Sequence, residues 1–179
     1  DAMKTLGLIQ AQALAVPVAS RSAPQLLALG RAALAAGADA QKVIKQYYEP
    51  AKKKQGFLPD GALAIGELAL QKEDYARAAD EFRAGLKERA DSVALRFGLA
   101  RAFQSSDRAK CQAELARVLE MNPHHEGALL LQAELLLGAE KAEEAAALLD
   151  QVIDINPSQP EAWALRAAWV TLFQNDEAA

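Results

Sequence analysis

Two copies of one helix ending constrain the fold of this sequence more than any other feature. The first copy is Glu120-Met121-Asn122-Pro123 and the second is Asp154-Ile155-Asn156-Pro157. Because proline has no amide hydrogen and restricts the residue before it, each copy ends a helix. Helical patterns that recur at a fixed period of about 20–50 residues are typical of stacked helical hairpins.

The segment between the two prolines contains two apolar patterns of helical period, separated by a short break from Gly138 to Lys141. The first pattern comprises Leu129, Leu131, Ala133, Leu135, Leu136 and Leu137, and the second Ala145, Leu148, Leu149, Val152, Ile153 and Ile155. Two helices joined by so short a break must run antiparallel, and each keeps an apolar face that only a neighbouring hairpin can cover.

This arrangement resembles the tetratricopeptide repeat family, which places large apolar, small, alanine, aromatic or aliphatic, and proline residues at set positions. In the segment from residue 126 these are Leu129, Ala133, Ala145, Leu149 and Pro157. One period earlier they are Leu95, Leu99, Cys111, Leu115 and Pro123, with Gly98 one residue before the small position, which indicates a one-residue slip. From Pro59 the matching residues are Ile65-Gly66, Tyr75, Ala78, Phe82 and Gly85, with Ala90 in place of the proline.

The resemblance implies an all-α fold, a right-handed superhelix of antiparallel helical hairpins. It covers residues 59–179 in segments 59–91, 92–125, 126–159 and a partial segment 160–179, so that the segment starts are almost evenly spaced. Residues 23–58 are predicted to form a degenerate capping hairpin, with a second helix from Asp39 to Lys54, and residues 1–22 an N-terminal helix and linker. The alternative is an ordinary helical bundle with coincidental spacing.

Composition limits the function classes. A net charge of −4 gives no general attraction to nucleic acid, and no stretch is long and apolar enough to span a bilayer. Three interpretations of Met3–Ala15 stay open: the start of a secretory signal, an ordinary helix that packs on the array, or a vector-derived start in which Asp1-Ala2 precedes a native Met3. A further hypothesis is that this helix occupies the concave groove that the family resemblance implies. A cytoplasmic location is favoured over an exported one.

Catalytic and metal-binding patterns are absent from the sequence. The two histidines, His124 and His125, are adjacent after Pro123 and lack the spacing of a helical metal pair. The single cysteine, Cys111, occupies an alanine-like core position of its repeat. We therefore expect no enzyme, no metal and no cofactor.

The resemblance also implies a concave groove lined by the first helix of each hairpin, which binds a peptide or helix of a partner protein. The groove positions fall on Leu63, Glu67, Leu70, Arg96, Phe103, Leu130, Glu134 and Leu137. Aliphatic pockets beside Glu67 and Glu134 suit a segment with aliphatic anchors and a Lys or Arg. Two alternatives stay open: the leucines simply close the packing between hairpins, and the slip at Gly98 shifts the residues of its helix by one position.

Some members of the family hold the terminal carboxylate of a partner, but the corresponding positions here are Leu63, Glu67, Phe97, Gly127 and Leu131. A terminal-carboxylate ligand is therefore not expected.

Two other function classes remain beside the protein-binding scaffold. An architectural segment would stack on further repeats or on a second copy through Trp163, Trp169 and Phe173, which the last helix is expected to leave partly uncovered. A non-catalytic module of a larger bacterial enzyme, such as a peptidase, is the third class.

Overall fold

The computed structural model describes Pro17 and residues 20–174, and every regular element in this part of the chain is helical. In chain order the elements are α1 (Ala23–Ala35), α2 (Ala40–Val43), a first π-helical segment (Ile44–Tyr48), α3 (Glu49–Lys52), α4 (Leu58–Gln71), α5 (Tyr75–Glu88), α6 (Val93–Phe103), α7 (Arg108–Met121), α8 (Glu126–Leu137), α9 (Ala142–Ile155), α10 (Pro160–Trp169) and a second π-helical segment (Val170–Gln174). The all-α prediction is confirmed. The helix predicted over Met3–Ala15 lies outside the described residues.

Both repeated endings terminate helices as the sequence predicts. α7 ends at Met121 and α9 at Ile155, and the following Asn122 and Asn156 leave helical geometry with φ of −142° and −140°. In each turn the asparagine side-chain oxygen accepts a hydrogen bond of 3.2 Å from the amide two residues further on. This local bond stabilises the turn that carries the chain to the next first helix.

The second helices of successive hairpins begin on equivalent aspartates. The carboxylate of Asp74 accepts a hydrogen bond of 3.2 Å from the amide of Arg77, and that of Asp107 accepts one of 3.0 Å from the amide of Lys110. Each carboxylate thereby caps an amide that the first turn of α5 or α7 leaves without a helical partner. The two caps have the same separation as the predicted segment starts at 59 and 92, so the start of the helix repeats as well as its end.

The chain divides into two compact units, one up to Phe103 and one from Gln104. Unit 1 contains α1 to α6, and unit 2 contains α7 to α10. One pair of helices falls in each of the predicted segments 59–91, 92–125 and 126–159. The segment boundaries themselves stay a prediction.

The core of unit 1 is built around the side chain of Phe82, which is fully buried on α5. A Cβ atom placed on Gly66 of α4 would lie 2.5 Å from a ring carbon of Phe82, and one placed on Gly98 of α6 would also lie 2.5 Å from a ring carbon. Two glycines therefore let two first helices approach one aromatic ring. The contact with Phe82 of the preceding hairpin accounts for the position of Gly98.

The second helix of the first hairpin is not the regular helix predicted from Asp39 to Lys54. Between α2 and α3 the chain widens into a π-helical turn, in which the amide of Glu49 donates to the carbonyl of Ile44. Pro50 follows directly; it has no amide hydrogen, and its ring would collide with the carbonyl four residues earlier in a regular helix. A π-helical turn beside a proline removes that collision, and it was not visible in the apolar pattern.

Unit 2 has its own core, which α8, α9 and α10 share. The buried members of this cluster are Leu129, Leu130, Ala133, Leu149, Val152 and Ala162. Cys111 on α7 is fully buried, as expected for a core position. Within the residues that the structure describes, no helix combines the length and the apolar character that crossing a membrane requires.

We expect Gly61→Ala to destabilise the protein, because α3 and α4 approach each other closely at this glycine. A Cβ atom at Gly61 would lie 2.6 Å from the Cβ atom of Lys52 and 2.7 Å from its Cα atom, and backbone cannot rotate away as a side chain can. Overpacking of this kind lowers the free energy of unfolding by about 1–3 kcal/mol. Urea unfolding followed by far-UV circular dichroism measures the change.

The matched control is Gly138→Ala, since a Cβ atom there has no neighbour nearer than 3.6 Å and the residue has a helical φ of −67°. This control should leave stability unchanged or raise it by up to about 1 kcal/mol. Equal destabilisation by the two substitutions would contradict a specific close approach at Gly61.

Candidate interaction surfaces

Three charged residues from three first helices of unit 1 form one polar group, which we call the Arg–Glu–Arg cluster: Arg31 on α1, Glu67 on α4 and Arg101 on α6. All three side chains are exposed to solvent. Desolvation nevertheless raises the pKa of the Glu67 carboxyl above its ordinary value, while the charges of Arg101 and Arg31 act in the opposite direction. The neighbouring helices therefore reduce the hydration of a carboxyl that solvent still reaches.

The ring of Tyr48 is buried at the end of the first π-helical segment, and the charges of Arg31 and Glu67 act on its phenol. Gly30 makes room for it, since a Cβ atom at this position would collide with the ring of Tyr48. Burial raises the pKa of the Tyr48 phenol; the charge of Arg31 opposes this shift and that of Glu67 adds to it. On α1, Gly30 therefore lies against the buried ring of Tyr48, and the next residue, Arg31, belongs to the exposed Arg–Glu–Arg cluster.

The apolar groove positions predicted in unit 1 differ in exposure. Leu63 is half-buried and packs against the core cluster around Phe82. Leu70 is a member of that cluster and only 7% exposed. Phe103 is half-buried, and the guanidinium of Arg83 on α5 lies 5.1 Å from the centre of its ring. Leu70 therefore closes the packing between helices, which corrects the expectation of an open pocket at this residue.

Arg96, also predicted to line the groove, folds back on the loop before its own helix. Its guanidinium Nε and Nη2 donate hydrogen bonds of 3.0 and 2.7 Å to the carbonyl of Ala90. The exposed cation of α6 near Glu67 is instead Arg101. Counted along α6 without the one-residue shift at Gly98, the family pattern also predicts Ala100 as a groove position. Ala100 is fully buried, and the shift puts the exposed Arg101 at this position instead.

Sequence reasoning missed Arg31 and Arg101, although a signal for both was present. Arg101 follows Glu67 at the interval that separates Pro123 from Pro157, which is the period of the array. Arg31 precedes Glu67 at the interval that separates Gly30 from Gly66. Extending the period from an exposed acidic residue to its equivalents would have found both arginines.

In unit 2 the predicted positions Leu130, Glu134 and Leu137 all lie on α8. Leu130 is 8% exposed and belongs to the core, so an open pocket is again corrected to a packing role. Leu137 is half-buried. Glu134 is exposed and accepts a hydrogen bond of 3.1 Å from the Nε2 group of Gln104. Desolvation raises the pKa of the Glu134 carboxyl, and the bond from Gln104 opposes that shift.

The aromatic residues predicted for end stacking also separate into two groups. Trp163 is 51% exposed, while its indole N–H donates a hydrogen bond of 2.8 Å to the carbonyl of Pro157. Phe173 is half-buried. Trp169 is only 5% exposed, its indole N–H donates to the carbonyl of Ala142 at 2.8 Å, and the Arg166 guanidinium lies 4.1 Å from its ring. The expectation that Trp169 is partly uncovered is therefore wrong, because α9 and Arg166 cover it.

The adjacent histidines have a structural setting. The Nδ1 atom of His125 accepts a hydrogen bond of 3.1 Å from the amide of Ala128, which caps α8, and His124 is exposed in the preceding turn. Among the described residues there is no group of three or more His, Cys, Asp or Glu side chains arranged to hold a metal ion.

Two family models match this chain, and both are described as tetratricopeptide repeat. One matches residues 63–110 and the other residues 102–168, which together make up more than half of the chain. A comparison with curated proteins gave no match.

Solved structures share the fold at low sequence identity. TTC0263, a thermophilic TPR protein of Thermus thermophilus, has a TM-score of 0.67 and 18% identity over 88% of this chain and 86% of its own. YrrB, described as a TPR protein with an unusual peptide-binding site, has a TM-score of 0.66 and 17% identity over 92% of this chain and 83% of its own. A structure described as MamA MSR-1 C2 has a TM-score of 0.62 and 14% identity over 88% of this chain and 90% of its own.

The helical hairpins, their period and these matches agree: the chain belongs to the tetratricopeptide repeat family.

Proposed function

We propose that this chain is a non-catalytic protein-interaction module that binds a peptide or helix of a partner protein on the first-helix face of unit 1. The observation that carries the proposal is the Arg–Glu–Arg cluster, in which one exposed charged side chain from each of α1, α4 and α6 lies within electrostatic range of the others. Exposed charged side chains in this position are available to bind a segment of a partner protein.

Two further observations support this proposal. Leu63 lies one helical turn before Glu67 on α4 and is half-buried, so apolar surface adjoins the charged group. YrrB, which shares the fold, is described as having a peptide-binding site. Leu63 and Glu67 are kept as contact residues in this proposal, and the buried Leu70 shapes the surface from below. Glu134 and Leu137 belong to unit 2 and stay sequence-based predictions.

The proposal predicts peptides that bind at position 67 and can be cross-linked there. A random-peptide display library is panned on the immobilised chain, and the enriched peptides are synthesised with a fluorescent label. The photoreactive residue p-benzoylphenylalanine is placed at position 67 or, as a control, at position 88 on α5, which also holds an exposed glutamate. Illumination should cross-link the labelled peptide to the chain modified at position 67 and should leave the chain modified at position 88 unlabelled.

Cross-linking at position 88 alone, or at neither position by any enriched peptide, would overturn the assignment of the binding face. The comparison does not depend on the charge of the peptide, because the two variants lose the same acidic group. Circular dichroism of both variants confirms that each is folded.

The electrostatics of the cluster can be checked without a partner. The carboxyl carbon of Glu67, followed by NMR as a function of pH, should titrate above the ordinary value for glutamate, because desolvation outweighs the two arginines. Arg101→Gln should raise that pKa further, since the charge of Arg101 stabilises the carboxylate. Arg77→Gln, on α5, is the control, and an equal shift in both variants would contradict the specific pairing.

The raised pKa of the Glu67 carboxyl also makes the free energy of unfolding depend on pH. A carboxyl whose pKa is raised in the folded state binds its proton more tightly there. Its contribution to the free energy of unfolding therefore falls as the pH rises from the pKa of the unfolded state to that of the folded state. At pH values above that window, Glu67→Gln should therefore raise the urea concentration at the midpoint of unfolding. The difference from the unsubstituted chain should shrink as the pH falls below the window.

A second candidate function, self-association through the C-terminal helices of unit 2, is favoured by one observation. Trp163, Val170 and Leu172 are exposed by 51%, 38% and 62%, which leaves large apolar side chains uncovered in the part of unit 2 that the structure describes. Contiguous exposed apolar surface is typical of interaction sites.

Light scattering over a range of concentrations tests this candidate. If the apolar surface is an interface, the apparent mass rises with concentration and Leu172→Glu returns it to that of a monomer. Ala168→Glu, an exposed position on α10, is the control for added charge. A monomer at every concentration would reject self-association.

A further inference from the structure

We propose that the first-helix face of unit 1 recognises an acidic segment of its protein partner, in which carboxylates pair with Arg31 and Arg101. The inference rests on the proposed function and names the chemistry of the partner. It differs from the sequence-based expectation that Glu67 would attract a Lys or Arg. Neither Arg31 nor Arg101 is at a position that corresponds to those with which members of the family hold a terminal carboxylate.

The balance of charge within the cluster is the first reason. The cluster contains two guanidinium groups and one carboxylate, so it carries a net positive charge when all three are ionised. Within the described residues, neither Arg31 nor Arg101 has a carboxylate oxygen within 4.0 Å of a guanidinium nitrogen, although both are exposed. Arginine pairs with carboxylates through two parallel N–H···O bonds, and both guanidinium groups keep that capacity for a partner.

Equivalent positions on two neighbouring helices give the surface a repeated pattern. Leu63 and Glu67 are one turn apart on α4, and Phe97 and Arg101 occupy the corresponding positions on α6, one period of the array later. The helices α4 and α6 are in contact. The guanidinium of Arg101 lies 6.0 Å from the centre of the Phe97 ring, which keeps the charge next to apolar surface. A row of half-buried apolar side chains therefore runs beside a row of charged ones.

The charge of the surrounding sequence has the same sign as the cluster. Residues 1–103 contain 15 Lys and Arg against 11 Asp and Glu, whereas residues 104–179 contain 5 against 13. The overall charge of −4 hides this difference between the two halves. An acidic segment would be drawn toward residues of the first half and repelled by those of the second.

A basic segment is disfavoured by the same geometry. A lysine approaching Glu67 would come near the charges of both Arg31 and Arg101, which already act on that carboxylate. Like charges brought together in this way select against the wrong partner. The segment that fits carries acidic side chains for the arginines and an aliphatic or aromatic side chain for Leu63 and Phe97.

Three fluorescent peptides of equal length test the inference by anisotropy: one of alternating Leu and Glu, one of Leu and Lys, and one of Leu and Gln. The Leu-Glu peptide should bind about tenfold or more tightly than the Leu-Lys peptide. The double variant Arg31→Gln with Arg101→Gln should lose about tenfold in affinity for it, and Glu67→Gln should bind it more tightly because a like charge is removed.

The matched control is Lys53→Gln with Lys87→Gln, which removes the same charge from two exposed lysines of unit 1 outside the cluster. This control should stay within about twofold of the unsubstituted chain, since added salt screens distant charges. Equal loss in the two double variants, or tighter binding of the Leu-Lys or Leu-Gln peptide, would overturn the inference. Displacement of the Leu-Glu peptide by a single-stranded oligonucleotide at lower concentration than by unlabelled peptide would also overturn it.

The result remains separable from the proposed function. Display-selected peptides that cross-link at position 67 but are basic or neutral, and that bind equally well after both arginines are replaced, would refute the acidic partner and leave the binding face in place. Failure of every peptide to cross-link at position 67 would refute the binding face itself. A dimer seen by light scattering that an excess of the Leu-Glu peptide converts to monomer would identify a second copy as the occupant and refute the separate partner.

Discussion

Close packing of glycine against an aromatic ring is the constraint on which unit 1 depends. Gly66 and Gly98 each lie against the ring of Phe82, and Gly30 lies against that of Tyr48. A larger residue at any of these glycines would need the ring or the helix to move. Because a first helix can approach so closely, the next side chains along it, Arg31 after Gly30 and Glu67 after Gly66, are fixed at the surface beside the core.

The repeat explains why the helices could be predicted from sequence while parts of the surface could not. Helix ends depend on local chemistry, such as Asn before Pro and Asp at a helix start, which the sequence displays directly. The register of α6 depends on where Gly98 meets Phe82, a contact between hairpins. Counting from a family pattern placed Ala100 at the surface, whereas packing placed Arg101 there.

Other features that the sequence did not predict have a local cause or depend, like the register of α6, on contacts between residues that are distant in sequence. The π-helical turn before Pro50 could not be recognised from the spacing of apolar residues. It adds length to the first hairpin, and Arg31 is further from Glu67 in sequence than Glu67 is from Arg101. Lys52, at the end of α3, forms an ion pair of 2.7 Å with Glu81 on α5. Trp169 finds a carbonyl for its indole N–H on α9. Each contact joins residues that are distant in sequence, so no local pattern reports it.

The Arg–Glu–Arg cluster is poorly explained as a source of stability. Exposed ion pairs contribute about 0–1 kcal/mol even when they are formed, and Glu67 makes none within 4.0 Å in the described part of the chain. Its carboxylate also loses hydration, which opposes folding at neutral pH. The buried clusters around Phe82 and Tyr48 already hold the helices together. A charged group that contributes little to the fold and stays open to solvent is better accounted for by a contact with another molecule, and this holds for Arg31 and Arg101 as it does for Glu67.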